Sequence, residues 1–240
     1  MKYKIFGYTN FKYIDVAVYW SSYIQKLDLD YIIYCTDDMS IDYLQSKDIN
    51  CQLYEIAPGG NFTDFGLVRF NILYNLLNEY DYVIYSDIDA IWIDNPLIDI
   101  IGDQHAAHLS TVHHDRAYPL SIREKWGCTI CTGWMGFRDT CKSMISDFIN
   151  TYYSFKGMDQ QKFNEFLYSI YTKINNDIDD NSFTLETNIY NHMILGLPGD
   201  LIHRGNGMCN SKVIHPLTQT ENHKKLKKLK TIIDNRYNIS

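Results

Sequence analysis

The run Tyr82-Val83-Ile84-Tyr85-Ser86 is apolar almost throughout and closes on two carboxylates, Asp87 and Asp89. Its β-branched and aromatic residues predict a strand. Ahead of it Phe65, Val68, Ile72, Leu73, Leu76, Leu77 and Tyr80 recur at the 3.6-residue spacing of a helix, with Thr63 or Asp64 as the N-cap. Helix feeding strand is the repeating unit of α/β domains, and the first half of the chain repeats it. Residues 3–8, 30–36 and 49–56 read as strands, 12–27 and 39–47 as helices, and Pro58-Gly59-Gly60 breaks the chain. The expected fold class is α/β, a Rossmann-like and mainly parallel sheet flanked by helices in a single domain.

The second half is less regular. Asn95-Pro96 opens a short helix, 105–112 is a fifth strand, and 139–154 and 159–174 are helices. Residues 113–127 show no sustained period and read as a substrate-facing lid loop. The polar run 175–181 reads as a surface linker, and 183–216 as short strands and turns around Pro198-Gly199 and Gly205-Asn206-Gly207.

Two carboxylates two positions apart on an extended strand point to the same side. At the carboxyl end of a strand in an open α/β sheet they sit where ligands bind. They repel one another unless a cation offsets the charge. Hard oxygen donors suit Mn²⁺ or Mg²⁺, ions that complete their shell with water and phosphate and neutralise a departing diphosphate. The bland alternative is a pair of turn or cap acceptors.

At 240 residues and 45% hydrophobic content the chain can bury one substantial core. No apolar stretch approaches the ~20 residues of a membrane span, and the N-terminus reads as a strand rather than a leader. A cytoplasmic protein is the expectation. The net charge of −7 argues against nucleic acid as partner. The C-terminal segment departs from that balance: Lys224, Lys225, Lys227, Lys228 and Lys230 are interleaved with Leu226, Leu229 and Ile233 at helical spacing. Such a helix suits peripheral contact with an anionic membrane, or a phosphate. The six cysteines read as reduced, buried thiols, since the Cys128/Cys131 pair lacks the second ligand pair of a structural zinc site.

Gly66-Leu67-Val68-Arg69-Phe70, then Tyr82 through Asp89, then Ala90-Ile91-Trp92-Ile93-Asp94-Asn95-Pro96 resemble the nucleotide-diphospho-sugar transferases of the GT-A fold, nearest to glycosyltransferase family 77 and more distantly to family 8. The resemblance implies that Asp87 and Asp89 hold a metal, Mn²⁺ or Mg²⁺, with Asp87 and the Ile88 backbone close to the nucleotide ribose. It implies that Arg69 reaches the donor diphosphate or sugar. Tyr8, Phe11 or Tyr13 would stack on a uracil whose edge Thr9 and Asn10 hydrogen-bond, with Thr36-Asp37-Asp38 a weaker candidate for that pocket. Cys131 through Arg138 resembles a small-residue turn beside donor and acceptor, with Gly133 in it and Thr132 where the family commonly has Asn or another small polar residue. Asp159 and Gln160 would face the anomeric carbon, and His215 would complete the metal shell. Family 8 follows that histidine with a glycine and a lysine at fixed spacing; this chain does not, and Lys224 or Lys225 is left to meet the diphosphate.

The implied activity is metal-dependent transfer of a sugar from a nucleotide-diphosphate sugar, a UDP-sugar first, to a hydroxyl on a glycan or glycoconjugate. Retention at the anomeric carbon is implied, with Asp159 or Gln160 as catalytic residues; inversion would call on His113, His114 or Asp115 as base. Residues 1–218 would form the transferase domain, 1–96 its nucleotide-binding half and 97–218 its acceptor half, with 219–240 a basic helical tail. Two rivals stand beside this. A haloacid-dehalogenase-type phosphatase would use Asp87 as nucleophile, although its motif normally lies near the N-terminus and continues with Thr or Val rather than Ala90-Ile91. A non-catalytic nucleotide-sugar-binding module would keep the fold alone.

Overall fold

The computed structural model describes residues 1–54, 65–113, 117–171, 173–177, 182–186, 189–190, 192–197, 201–204, 211–216 and 222–237. In chain order the strands are β1 (Tyr3–Thr9), β2 (Tyr31–Cys35), β3 (Cys51–Leu53), β4 (Tyr82–Ser86), β5 (Ile91–Trp92), β6 (Ala107–Val112), β7 (Thr129–Arg138), β8 (Lys173–Asp177), β9 (Ser182–Glu186), β10 (Met193–Leu197), β11 (Ile202–Arg204) and β12 (Val213–His215). The helices are α1 (Ile14–Lys26), α2 (Asp38–Gln45), α3 (Phe65–Leu76), α4 (Leu97–Ile100), α5 (Leu120–Trp126), α6 (Lys142–Thr151), α7 (Asp159–Ile170) and α8 (Asn222–Tyr237). The chain divides into two units whose segments alternate along the sequence, one of residues 4–60, 86–96 and 200–240, the other of 1–3, 61–85 and 97–199.

The first of these units begins with β1, β2 and β3, paired in parallel in the order β3-β2-β1. Parallel neighbours require crossover helices, and α1 and α2 supply them. Ile14, Ala17, Trp20, Ser21 and Ile24 bury one face of α1. Asp37 caps α2: its carboxylate accepts the Ser40 N–H at 2.8 Å and the Ser40 hydroxyl at 2.8 Å, and it also takes the Phe11 N–H at 2.8 Å. Burial raises its pKa, but these three donors outweigh burial and hold it below the usual carboxylate range. A small sheet in the order β11-β12-β5 completes the unit, with β11 and β12 parallel and β12 antiparallel to β5. Helix α8 turns its buried Leu229 and Ile233 toward the body and packs against α1. The stripe that the sequence offers to a membrane therefore belongs to the core, and the helix meets solvent with lysines. Among the described residues no helix is long and apolar enough to cross a membrane.

The second unit carries strands in the order β4-β7-β6-β10-β9-β8. Strands β6 and β10 are parallel, while the β6/β7, β9/β10 and β8/β9 pairs are antiparallel. All five residues of β4 are buried, as a strand covered on both faces requires. Helices α3, α6 and α7 meet through Phe70, Phe148 and Phe163, whose ring centroids lie 4.6–5.1 Å apart.

Four expectations are corrected here. The expected turn at 133–138 is the C-terminal part of the ten-residue strand β7, nine of whose residues are buried. Its glycines suggest a bend, but Gly136 is there for space: a Cβ would overlap the hydroxyl of the buried Tyr82. The 113–127 segment is not all loop. Ile122 and Trp126 bury one face of α5, which ends at Gly127 in the left-handed conformation, φ 77°. Residues 175–177 belong to β8 rather than a linker; Asn175, Asn176 and Asp177 hide the strand because its pairing with β9 is a main-chain matter. The helix read over 159–174 stops at Ile170. Thr63 and Asp64, His114 and Asp115, and residues 178–181 lie outside the described residues.

Candidate functional site

Strand β4 ends at Ser86, and the chain then reverses: the Ala90 N–H donates to the Asp87 carbonyl at 2.8 Å, closing a turn over Asp87–Ala90. Asp87 and Asp89 are thus presented by a turn, not by the pleat of an extended strand. Ser86 anchors the turn. Its hydroxyl accepts the indole N–H of Trp20 at 3.3 Å and of Trp92 at 3.0 Å and lies 3.3 Å from the Asp87 carbonyl. Trp20, Trp92 and Ser86 are fully buried, so one small hydroxyl satisfies two indoles and fixes the residue before the carboxylates. Sequence reading missed this function; the only signal was a polar residue interrupting an apolar strand. Ser86→Ala is expected to destabilise the protein by about 1–3 kcal/mol through orphaned indole donors. It should also weaken Mn²⁺ binding without removing a ligand, as read by urea denaturation and metal titration of the same variant.

Asp87, Asp89 and His215 converge. The His215 Nε2 lies 3.4 Å from Asp87 Oδ2 and 3.2 Å from Asp89 Oδ1, and one ligand atom from each residue falls within 4.8 Å of the others. Position 215 ends β12, whose pairing with β11 and β5 delivers the imidazole from far along the chain. Lys225, on the first turn of α8, places its ammonium 2.6 Å from Asp89 Oδ2. Asp89 is 6% exposed. Burial alone would raise its pKa, yet the charges and hydrogen bonds of His215 and Lys225 outweigh it and hold the carboxyl well below its usual range. Two carboxylates and an imidazole form a donor set that fits Mn²⁺ or Mg²⁺. Of the two lysines the sequence offered, Lys224 is exposed, whereas Lys225 one position on faces Asp89; a helix separates consecutive side chains by about 100°.

The end of β1 gathers the residues assigned to a nucleobase. Thr9 is buried, its hydroxyl donating to the Asn10 carbonyl at 3.1 Å, and Asn10 has a buried Oδ1 without a hydrogen-bond partner among the described residues. Phe11 is 39% exposed and packs edge-on against Tyr43 at 6.1 Å. Tyr8 is half-buried on β1, and Ile88 half-buried in the turn between the two aspartates. The Asp37 carboxylate, the weaker candidate for this pocket, caps α2.

In the other unit Arg69, Asp159 and Thr132 form a second cluster. The Arg69 guanidinium lies 3.0 Å from Asp159 Oδ2, donates to the Thr132 carbonyl at 2.7 Å and sits 4.6 Å over the Tyr85 ring. The Thr132 hydroxyl reaches Asp159 at 3.3 Å. Gly66 permits this approach, because a Cβ there would collide with the Asp159 side chain and the Tyr152 hydroxyl. Gln160, next on α7, donates to the Tyr118 carbonyl at 2.8 Å. Gly133 is an interior residue of β7.

A family model of nucleotide-diphospho-sugar transferases matches residues 26–229. The chain belongs to this family. It is a glycosyltransferase, and its α/β fold is of the GT-A type. Among solved structures it is similar to a glycosyltransferase involved in the glycosylation of the major capsid of PBCV-1, at 10% identity and TM-score 0.57, covering 96% of this chain and 100% of that one. It is also similar to the galactosyltransferase LgtC solved with donor and acceptor sugar analogues, at 12% identity and TM-score 0.59, covering 95% of each chain. Comparison with curated protein sequences finds no match. The phosphatase alternative gains no support from these comparisons.

Proposed function

We propose that this transferase moves a sugar from a UDP-sugar to a hydroxyl of a glycan or glycoconjugate, with Mn²⁺ or Mg²⁺ held by Asp87, Asp89 and His215. The convergence of those three side chains, 3.2–3.4 Å between imidazole and carboxylates, carries the reading. A bound ion would supply Lewis-acid neutralisation of the departing diphosphate. Lys225, already at Asp89, is better placed than Lys224 to pass to a donor phosphate. At the β1 end the buried Asn10 amide and the exposed Phe11 ring suit hydrogen bonding and stacking with a base, beside Tyr8 and Thr9; Asp87 and the Ile88 backbone would meet the ribose. The roles of Arg69, Asp159, Gln160 and Gly133 toward the donor rest on the sequence resemblance.

Retention follows from the same resemblance, with Asp159 or Gln160 stabilising positive charge at the anomeric carbon. Of the candidate bases for inversion, His113 is exposed, with its Nε2 2.9 Å from the Thr111 hydroxyl. Residues 1–218 act as the transferase domain and 219–240 as a basic tail whose contact with an anionic membrane would be through lysines alone. A cytoplasmic setting is part of the proposal and rests on the sequence, whose six cysteines read as reduced thiols.

The test is a thermal-shift screen of UDP-, GDP-, TDP- and CMP-sugars with and without Mn²⁺, run in parallel on Asp89→Ala. The expected result is Mn²⁺-dependent stabilisation by a UDP-sugar that the substitution abolishes. Equal shifts in both proteins would remove Asp89 from the site, and a metal-independent shift would remove the ion.

A further inference from the structure

A second group of metal-ligating side chains lies in the unit that does not contain Asp87 and Asp89. Asp103 and His105 sit on the segment between α4 and β6, and His108 is the second residue of β6. One ligand atom from each falls within 4.8 Å of the others. The His105 Nδ1 is 2.5 Å from Asp103 Oδ1, and the His108 Nε2 is 3.7 Å from Asp103 Oδ2. Donor atoms around a tetrahedral zinc lie about 3.3 Å apart, given bonds of about 2.0–2.1 Å, so these separations bracket the requirement.

His108 supplies the independent observation. It is fully buried, and its Nε2 has no hydrogen-bond partner among the described residues; 3.7 Å to Asp103 is too long for one. A buried ring nitrogen without a partner is costly unless something meets it. The other ring nitrogen, Nδ1, is 2.9 Å from the Tyr82 hydroxyl. With Nδ1–H donating to Tyr82, the Nε2 lone pair faces Asp103, which is the outer-shell arrangement that orients metal-binding histidines. Arg138 holds the segment from behind, donating to the carbonyls of His105 at 2.9 Å, Ile101 at 3.3 Å and Asp103. Its charge opposes a cation, and the Asp103 carboxylate offsets it.

We infer that Asp103, His105 and His108 form a binding site for a zinc-like transition-metal ion, separate from the donor-site ion and serving to clasp the 101–106 segment to β6. Two imidazoles with one carboxylate select borderline first-row metals over Mg²⁺ or Ca²⁺, in contrast to the carboxylate-rich set at Asp87 and Asp89. With three protein donors, water completes the shell. His105 and Asp103 are partly exposed, which gives the ion access.

The experiment uses the full, untagged chain carrying Asp87→Asn and Asp89→Asn, so that the donor-site ligands are disabled. Equilibrium dialysis against Zn²⁺ should leave one equivalent bound, and Co²⁺ in its place should give the intense visible d–d bands of a low-coordinate site. Adding His105→Ala, or in a separate protein Asp103→Asn, should abolish both signals while circular dichroism stays native, because both positions are partly exposed. Absence of stoichiometric Zn²⁺ in the doubly substituted chain would overturn the inference. So would Zn²⁺ and Co²⁺ signals that survive both additional substitutions, which would point to the cysteines instead.

Discussion

Asp89→Asn is expected to lower donor turnover by about 10²–10³-fold, the loss typical of removing one preorganised electrostatic group. It should also erase Mn²⁺-dependent stabilisation. The substitution keeps the shape and removes the charge that His215 meets at 3.2 Å and Lys225 at 2.6 Å. Release of nucleoside diphosphate from the donor identified by the thermal-shift screen measures the first effect without knowledge of the acceptor. The same pair of proteins, freed of metal, tests the electrostatics. Burial raises the Asp89 pKa, but His215 and Lys225 outweigh burial and depress it. A depressed carboxyl contributes stability that is fully present above its unfolded pKa of about 3.9 and is lost as pH falls through the lower folded value. The advantage of wild type over Asp89→Asn in Tm should therefore shrink below about pH 4. An advantage that grows on acidification would contradict the assignment.

Arg69→Met should reduce stability and donor binding together. Arg69 is 8% exposed and is held by Asp159, the Thr132 carbonyl and the Tyr85 ring. Removing the guanidinium leaves Asp159 without its cation, at a cost of about 2–3 kcal/mol; this is less than the roughly 3–5 kcal/mol of a fully buried pair, because the Asp159 side chain keeps 23% exposure. The shift should appear as a lower urea midpoint at unchanged slope. Arg69→Lys restores the charge but not the planar fork that serves two acceptors at once, and should recover only part of the loss. If donor KM is unmoved in both variants while stability falls, Arg69 is a structural clamp for α7 and not a donor contact.

The periodicity of 65–80 and the apolar run at 82–86 announced α3 and β4 because each buries a continuous face, and burial is what hydrophobic pattern records. Strands β7 and β8 were concealed for opposite reasons. In β7 a glycine needed for close approach to Tyr82, Gly136, imitates a turn, and in β8 the polar sequence gives no strand pattern although the backbone pairs with β9. Helix α5 was lost because a seven-residue helix gives barely two turns of periodicity.

The site divides in the same way. The residue types that could hold a cation, Asp87 and Asp89, were legible in the sequence, since their chemistry is intrinsic to the side chains, and His215 was singled out by the family resemblance. Their geometry was not. The carboxylates were expected on a pleated strand, whereas a turn anchored by Ser86, Trp20 and Trp92 presents them. Likewise, that Lys225 rather than Lys224 meets Asp89 depends on how α8 packs against α1. The sequence by itself determined the fold class, the family and the chemical inventory, because propensity and side-chain chemistry are local. Only the tertiary structure decided which groups meet, because distances between residues such as Asp89, His215 and Lys225 are set by strand pairing and helix packing across more than a hundred residues of intervening chain.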